Sequence, residues 1–176
     1  MRAQTASASF SRPANTTQYA VGDMIANTIA GDSGAGTSGV VAMNFPAGPY
    51  IIRRVRLFKN DDDVTAATFR AHFFQGDPRA TLDEKDTGDN GAFKLSGAPI
   101  AEYIGSYDLD MTSSPDIYRT NGNACTGVPL NGSELIVPAY RTASSAQIGT
   151  YALLEARATY TPASGETFTL TIEYLV

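Results

Sequence analysis

Two strand-like segments between Tyr50 and Gln75, joined by an acidic turn, constrain this chain more than any other part of its sequence. Side chains of a strand point alternately to its two faces, so each segment divides into two sets. One face would collect apolar residues, namely Ile51, Val55 and Leu57 from the first segment and Ala67, Phe69, Ala71 and Phe73 from the second. The pattern predicts a long β-hairpin whose apolar face covers a hydrophobic core.

The opposite face of the predicted hairpin is the first place to look for function. It would carry Ile52, Arg54, Arg56 and Phe58 from the first strand and Thr68, Arg70, His72 and Phe74 from the second. Because arginine pairs with carboxylates in a bidentate geometry, Arg54, Arg56 and Arg70 could form a docking patch for an acidic protein surface. A solvated face with neighbouring Asp and Glu side chains, or a site for a polyanionic ligand, would use the same residues.

The composition narrows the class of protein. The chain has 176 residues, of which 43% are hydrophobic, enough for one well-packed core. A net charge of −5 argues against nucleic-acid binding, which needs a basic surface. The only cysteine, Cys125, excludes an internal disulfide. Without a signal-peptide pattern or an apolar run of membrane-spanning length, we expect a soluble protein that is made in the cytoplasm.

Alternating runs separated by Gly, Pro and Asn turns predict about eight to ten strands and no long helix. The clearest alternation lies in residues 166–176, which we expect to form a second hairpin with residues 150–160. An antiparallel β-sandwich of jelly-roll type fits this strand count, as do up-and-down and Greek-key variants. We expect one sandwich domain over residues 13–176, preceded by a flexible N-terminal arm of small polar residues at 1–12.

Catalytic and metal-binding patterns are weak in this sequence. His72 is the only histidine and lies in the middle of a predicted strand, so we interpret it as a polar-face residue rather than a catalytic base. One His and one Cys cannot supply the ligands of a zinc site. The acidic turn at 61–63 and the loop at 88–91 are first of all turn signals, and calcium binding at either remains open. We therefore expect no enzyme and no cofactor.

Five sequence blocks, taken in order, resemble small structural proteins of tailed bacteriophages. They are Ser-Arg-Pro-Ala-Asn-Thr-Thr-Gln-Tyr-Ala-Val-Gly-Asp at 11–23, Ile-Arg-Arg-Val-Arg-Leu at 52–57, Thr-Phe-Arg-Ala-His-Phe-Phe at 68–74, Gly-Asp-Asn-Gly-Ala-Phe at 88–93 and Tyr-Ile-Gly-Ser at 103–106. The resemblance covers roughly residues 10–110, and the blocks are similar to those of head decoration, or cement, proteins. It implies a non-enzymatic β-sandwich on the outside of a capsid, bound to the major capsid protein and often trimeric.

On this resemblance we expect a virion protein that stabilises the capsid shell. The expected contacts with the capsid or a neighbouring subunit are Phe10, Arg12, Arg54, Arg56 and Arg70, and the arm could add a strand to a neighbour. The alternative is a tail or tail-fibre module that recognises a glycan or protein receptor. Its aromatic platforms would be Tyr103, Tyr107, Tyr118 and Tyr140. A β-sandwich hydrolase is the third hypothesis.

Overall fold

A computed structural model describes residues 1–28, 43–78, 88–94, 102–112, 117–119, 122–129, 132–139 and 149–176. In this part of the chain, the strands are β1 (Ala3–Ser11), β2 (Met24–Ile25), β3 (Met43–Phe45), β4 (Tyr50–Lys59), β5 (Thr68–Gln75), β6 (Tyr103–Asp110), β7 (Ile117–Arg119), β8 (Gly122–Thr126), β9 (Val128–Pro129), β10 (Leu135–Val137), β11 (Thr150–Ala156) and β12 (Thr167–Leu175). These twelve strands exceed the predicted eight to ten because several are only two or three residues long. No helix in the described ranges is long and apolar enough to cross a membrane.

The strands form two antiparallel sheets that enclose one hydrophobic core. Sheet 1 has the order β1-β12-β4-β8-β7, with β10 also paired to β4. Sheet 2 has the order β2-β11-β5-β6-β9, with β3 also paired to β11. The strands pair from the two ends of the fold inward. Thus β1 pairs with β12, β2 and β3 pair with β11, β4 pairs with β8, and β5 pairs with β6. This is the arrangement of a jelly roll, so the predicted sandwich is confirmed.

Both predicted hairpins are wrong in their pairing. In sheet 1, β4 pairs with β12, β8 and β10, whereas β5 pairs with β11 and β6 in sheet 2. The acidic turn therefore carries the chain from one sheet to the other. The strands β11 and β12 are separated between the sheets in the same way. Alternation predicts which side chains face the core, but a jelly roll places consecutive strands on opposite sides of that core.

A bulge in β4 changes which of its residues face inward. The pairing of β4 with β12 shifts register between Glu173 and Tyr174, and Arg53 and Arg54 are both exposed. As a result, the buried side chains of β4 are Tyr50, Ile52, Val55, Leu57 and Lys59. The prediction that Ile51 faces the core is therefore wrong, because an extra residue in one strand reverses the alternation beyond it.

The predicted flexible arm is a strand of the sandwich. All nine residues of β1 pair with β12, from Ala3 opposite Leu175 to Ser11 opposite Thr167. Phe10 is buried, and its ring lies 5.8 Å from that of Phe168. The boundary predicted at residue 12 is thus wrong. Alternating Ala and Ser carry little hydrophobic signal, although alternate residues of β1 do face the core.

Candidate functional site

The outer face of sheet 2 is partly covered by the chain itself. A second apolar cluster, outside the main core, contains Met24, Ala26, Phe74, Tyr151 and Leu153. Phe93 packs against this cluster and stacks on the ring of His72, with 4.5 Å between centroids. The segment 88–94 therefore lies over this face and removes part of it from contact with a partner.

A buried ion pair holds the covering segment 88–94 in place. The Nη2 atom of Arg12 lies 2.9 Å from Oδ2 of Asp89, and both side chains are buried. Tyr19 donates its hydroxyl to Asp89 and accepts a hydrogen bond from Nε of Arg12 at 2.8 Å. The amide of Ala26 also donates to Asp89, at 3.2 Å. Burial raises the pKa of Asp89, and these hydrogen bonds and the arginine charge offset that effect only in part.

The single histidine is bound into a polar group on the same face. Nε2 of His72 lies 2.8 Å from Oε2 of Glu155, and Arg157 donates to Oε1 of Glu155 at 3.0 Å. Burial raises the pKa of Glu155. The hydrogen bonds and electrostatic attraction from His72, followed by those from Arg157, outweigh this effect, so the pKa lies below its ordinary value. Tyr103 contacts the other ring nitrogen of His72 at 3.4 Å. These contacts orient the imidazole within the sheet.

The five predicted contact residues are distributed over different parts of the molecule. Arg54 and Arg56 lie exposed on the outer face of sheet 1. Arg70 lies on sheet 2, where its Nε and Nη2 atoms pair with Asp108 at 2.6 and 3.1 Å. Phe10 and Arg12 are buried. The prediction that the three arginines share a face is therefore wrong, because β4 and β5 belong to different sheets.

The outer face of sheet 1 keeps its arginines accessible. Glu173 bridges them, with 2.8 Å from Oε1 to Arg56 and 3.5 Å from Oε2 to Arg54. The side chain of Arg54 is 55% exposed, and that of Arg56 is 45% exposed. The neighbouring residue Phe58 is 37% exposed. A depression of about 580 Å³ lies here, lined by Arg54, Arg56, Leu57, Phe58, Ala124, Thr126 and Thr171. This face combines positive charge with an aromatic ring and small polar side chains.

Hydroxyl pairs continue this face to the edge of sheet 1. Ser7 and Ser9 of β1 contact Thr171 and Thr169 of β12, each with 2.8 Å between oxygens. Ser11 and Thr167 form a third pair at 2.7 Å. Side chains approach most closely at the non-hydrogen-bonded positions of an antiparallel pair, which is where these residues lie. The face is therefore flat and uncharged along its β1 side.

The two turns considered for calcium use their carboxylates in other ways. In the acidic turn, Asp61 accepts from the amide of Asp63 at 3.1 Å and lies 3.3 Å from Nζ of Lys59. Asp63 accepts from the amide of Thr65 at 2.8 Å, and this hydrogen bond lowers its pKa. Asp89 belongs to the buried ion pair. Among the residues that the structure describes, no group of three or more His, Cys, Asp or Glu side chains could hold a metal ion.

The aromatic platforms expected for a glycan-binding module are only partly available. Tyr107 is buried in the core and donates its hydroxyl to the carbonyl of Ile52 at 2.9 Å, so it cannot contact a ligand. Tyr103 is 39% exposed. The side chain of Tyr118 and the whole of Tyr140 lie outside the described residues.

Comparison with known proteins identifies no relative. No family model matches the chain, and no curated protein or solved structure matches it significantly. The similarity of the five sequence blocks to those of phage decoration proteins therefore remains a resemblance.

Sequence reasoning missed the buried charges, Asp89, Lys59 and Glu166, and also the part played by Glu173. Charged residues are normally exposed. Asp89 lies in a polar stretch, and nothing in its immediate sequence indicates burial. Lys59 and Glu166 do share a strand face with buried apolar residues, but a charged residue at the end of an alternating run is ordinarily taken as the point where the chain leaves the core. Glu173 is different, because the alternation of β12 places it on the outer face. Knowing that β12 is the neighbour of β4 would have predicted its pairing with Arg54 and Arg56.

Proposed function

We propose that this chain is a non-enzymatic virion structural protein, which binds the outside of a phage capsid and stabilises the shell. The outer face of sheet 1 is the docking surface, and its occupant is an acidic patch of the major capsid protein. The observation that carries this assignment is the pair of exposed arginines, Arg54 and Arg56, beside the exposed ring of Phe58. The five ordered blocks that resemble those of decoration proteins support the viral role.

The charges of this face suit a carboxylate partner. Arg54 and Arg56 share one carboxylate, Glu173, so the three side chains leave one positive charge in a chain of net charge −5. An arginine has five N–H donors, and those not directed at Glu173 remain for a second carboxylate. Exposed ion pairs contribute little to stability, so little is lost if the arginines reorient toward a partner.

The jelly roll separates the docking surface from the structural polar groups. The outer face of sheet 2 is partly covered by segment 88–94 and carries the paired groups of Arg70 and His72. The outer face of sheet 1 has exposed side chains at every outward position of β1 and at Arg54, Arg56 and Phe58. A protein that cements a shell needs one such accessible face on a rigid body.

Co-sedimentation with capsids encoded by the same genome tests the proposal. We expect the protein to bind these capsids and to raise the temperature at which the shell disassembles in calorimetry. The double variant Arg54→Gln with Arg56→Gln should weaken binding about ten-fold, equivalent to about 1.4 kcal/mol. Glu173→Gln should strengthen binding instead, because it frees both guanidinium groups.

A charge-swapped pair on the other sheet, Arg70→Asp with Asp108→Arg, is the matched control and should leave binding unchanged. If the wild-type protein does not bind these capsids, the proposed function is wrong. If binding occurs but is unaffected in the double Arg variant, the function stands and the docking surface lies elsewhere.

A further inference from the structure

The first strand leaves one side of its backbone unpaired. Arg2 and Val176 exchange both backbone hydrogen bonds, and the amide of Arg12 donates to Glu166 at the other end of the ladder. In an antiparallel pair of strands, the N–H and C=O groups of every second residue bond to the partner strand. In β1 these are the even-numbered residues, whose backbone groups point toward β12. The odd-numbered ones, Ala3, Thr5, Ser7, Ser9 and Ser11, direct their N–H and C=O groups outward. All five are exposed, and no described residue bonds to them on that side.

This open edge lacks the features that normally prevent pairing between chains. Soluble proteins protect edge strands with charged side chains, prolines, bulges or very short strands. Residues 3–11 contain no charged residue and no proline, and their pairing with β12 has no bulge. Pro13 is the next odd-numbered residue and has no N–H, so the open edge ends at Ser11. Nine residues of regular, uncharged edge are therefore available for a further strand.

The other edge strands are too short to match it. In the described part of the chain, β2 and β9 have two residues each, and β3, β7 and β10 have three. Among the edge strands that the structure describes, only β1 of a second copy offers a partner of equal length. Two copies of one strand pair antiparallel about a twofold axis, which gives a closed and self-limiting contact.

We propose that β1 pairs with β1 of a second copy of this chain, antiparallel, about a twofold axis at Ser7. In this register Ser7 lies opposite its own copy, Thr5 opposite Ser9, and Ala3 opposite Ser11. The odd-numbered residues on both strands then exchange about ten backbone hydrogen bonds. The charged side chain of Arg2 lies beyond the paired stretch.

The side chains of β1 suit this contact. Those on the outer face are small and uncharged, and three of them already form hydroxyl pairs with β12. Ala6 and Ala8 point toward the core and are half-buried in the single chain, so a second copy would cover them further. None of the side chains of β1 at this contact is charged. The contact joins two copies of sheet 1 into one continuous sheet, and it does not depend on the proposed capsid binding.

Sedimentation velocity over a range of protein concentrations is the first measurement. We expect the mass to rise with concentration from 18.6 kDa to twice that value. Amide exchange measured by NMR provides a readout without mutation. The odd-numbered amides of β1 should become protected as concentration rises, while the even-numbered ones are protected throughout. A chain that stays monomeric at all concentrations, or a trimer such as the family resemblance implies, would overturn the proposal.

Charge variants at Ser7 test the register. Like charges directly opposite each other destabilise a strand pair, whereas opposite charges stabilise it. Ser7→Lys and Ser7→Glu should each remain monomeric, and an equimolar mixture should associate as the wild type does. Thr171→Lys places the same charge one strand away from the edge and should leave association intact. Association of Ser7→Lys alone, or failure of the mixture to associate, would contradict the twofold pairing at Ser7.

Discussion

Lys59 and Glu166 form an ion pair whose side chains are both completely buried, with 3.1 Å between Nζ and Oε1. Tyr160 donates its hydroxyl to the same carboxylate at 2.7 Å, and Nζ of Lys59 lies 5.3 Å from the centroid of its ring. Burial raises the pKa of Glu166, an effect that the charge of Lys59 only partly offsets. Because a buried charge without its partner is costly, these side chains stabilise the fold only as a group.

Replacing one member of this pair should therefore be severe. We expect Lys59→Met to lower the free energy of unfolding by about 3–5 kcal/mol, because it leaves the carboxylate of Glu166 buried without a cation. Adding Glu166→Gln should recover much of the loss, since the amide oxygen can still accept from Tyr160. Urea denaturation measures both variants.

The control for this prediction is an exposed ion pair. Arg53 lies 2.6 Å from Glu134, with both side chains about half exposed to solvent. Arg53→Met should cost less than about 1 kcal/mol. Equal losses from Lys59→Met and Arg53→Met would contradict the role of burial.

Glu155 should make stability depend on pH on the acid side. Its folded-state pKa is lowered, so the unfolded chain binds more protons in the acid range. The resulting stability is present above the unfolded value of about 4.3 and is lost as the pH falls through the folded value. We expect Glu155→Gln to be less stable than the wild type near neutral pH, and the difference to narrow below about pH 4.3. Urea titrations at several pH values measure this difference, and a constant offset would contradict the assigned pKa.

Phe10 should be essential for stability, because β1 is part of the sandwich. Phe10→Ala removes a buried ring that packs on Phe168 and should cost about 3–5 kcal/mol. Deleting residues 1–11 should be worse still, since it also removes the partner of β12. Ser9→Ala removes only an exposed hydroxyl contact and should stay within about 0.5 kcal/mol of the wild type. If the truncated chain melted at the wild-type temperature in circular dichroism, residues 1–12 would after all be an arm.

Gly122 occupies a position that no larger residue fits. An added Cβ would lie 2.5 Å from the carbonyl oxygen of Lys59 and 2.7 Å from the ring of Phe58, and φ is +141°. Gly122→Ala should cost roughly 1–3 kcal/mol from backbone strain, with the steric contact adding to it. Gly132 also has a positive φ, of +68°, but no neighbour within 4 Å, so Gly132→Ala has no steric contact and a milder backbone strain and should cost less. Similar losses for the two variants in thermal unfolding would contradict the close packing of Gly122 against Lys59 and Phe58.

The sequence was informative where alternation is strong and uninterrupted. In residues 166–176, where the alternation is clearest, Phe168, Leu170 and Ile172 all face the core. The same reasoning failed for Ile51, because the bulge at Arg53 shifts the alternation and leaves no mark in the sequence. It also could not say which sheet a strand joins, and for this reason Arg70 was grouped with Arg54.

Part of the candidate site could be predicted from the alternation of side chains along a strand. Arg54 and Arg56 lie on an exposed face, as the alternation of β4 indicated. Phe10 and Arg12 were expected at a contact surface, yet one fills the core and the other neutralises Asp89. Partners that are distant in sequence decide such burial, and a single sequence does not reveal them.

The central place of β12 in sheet 1 has a consequence for biosynthesis. Of the described strands it leaves the ribosome last, yet it lies between β1 and β4 and is the only strand paired with β1. Until it emerges, the edges of β1 and β4 that it will occupy are unpaired, and most contacts of the fold join distant parts of the chain. Such intermediates are prone to aggregation, so nascent chains of this protein should depend on chaperones until β12 has emerged.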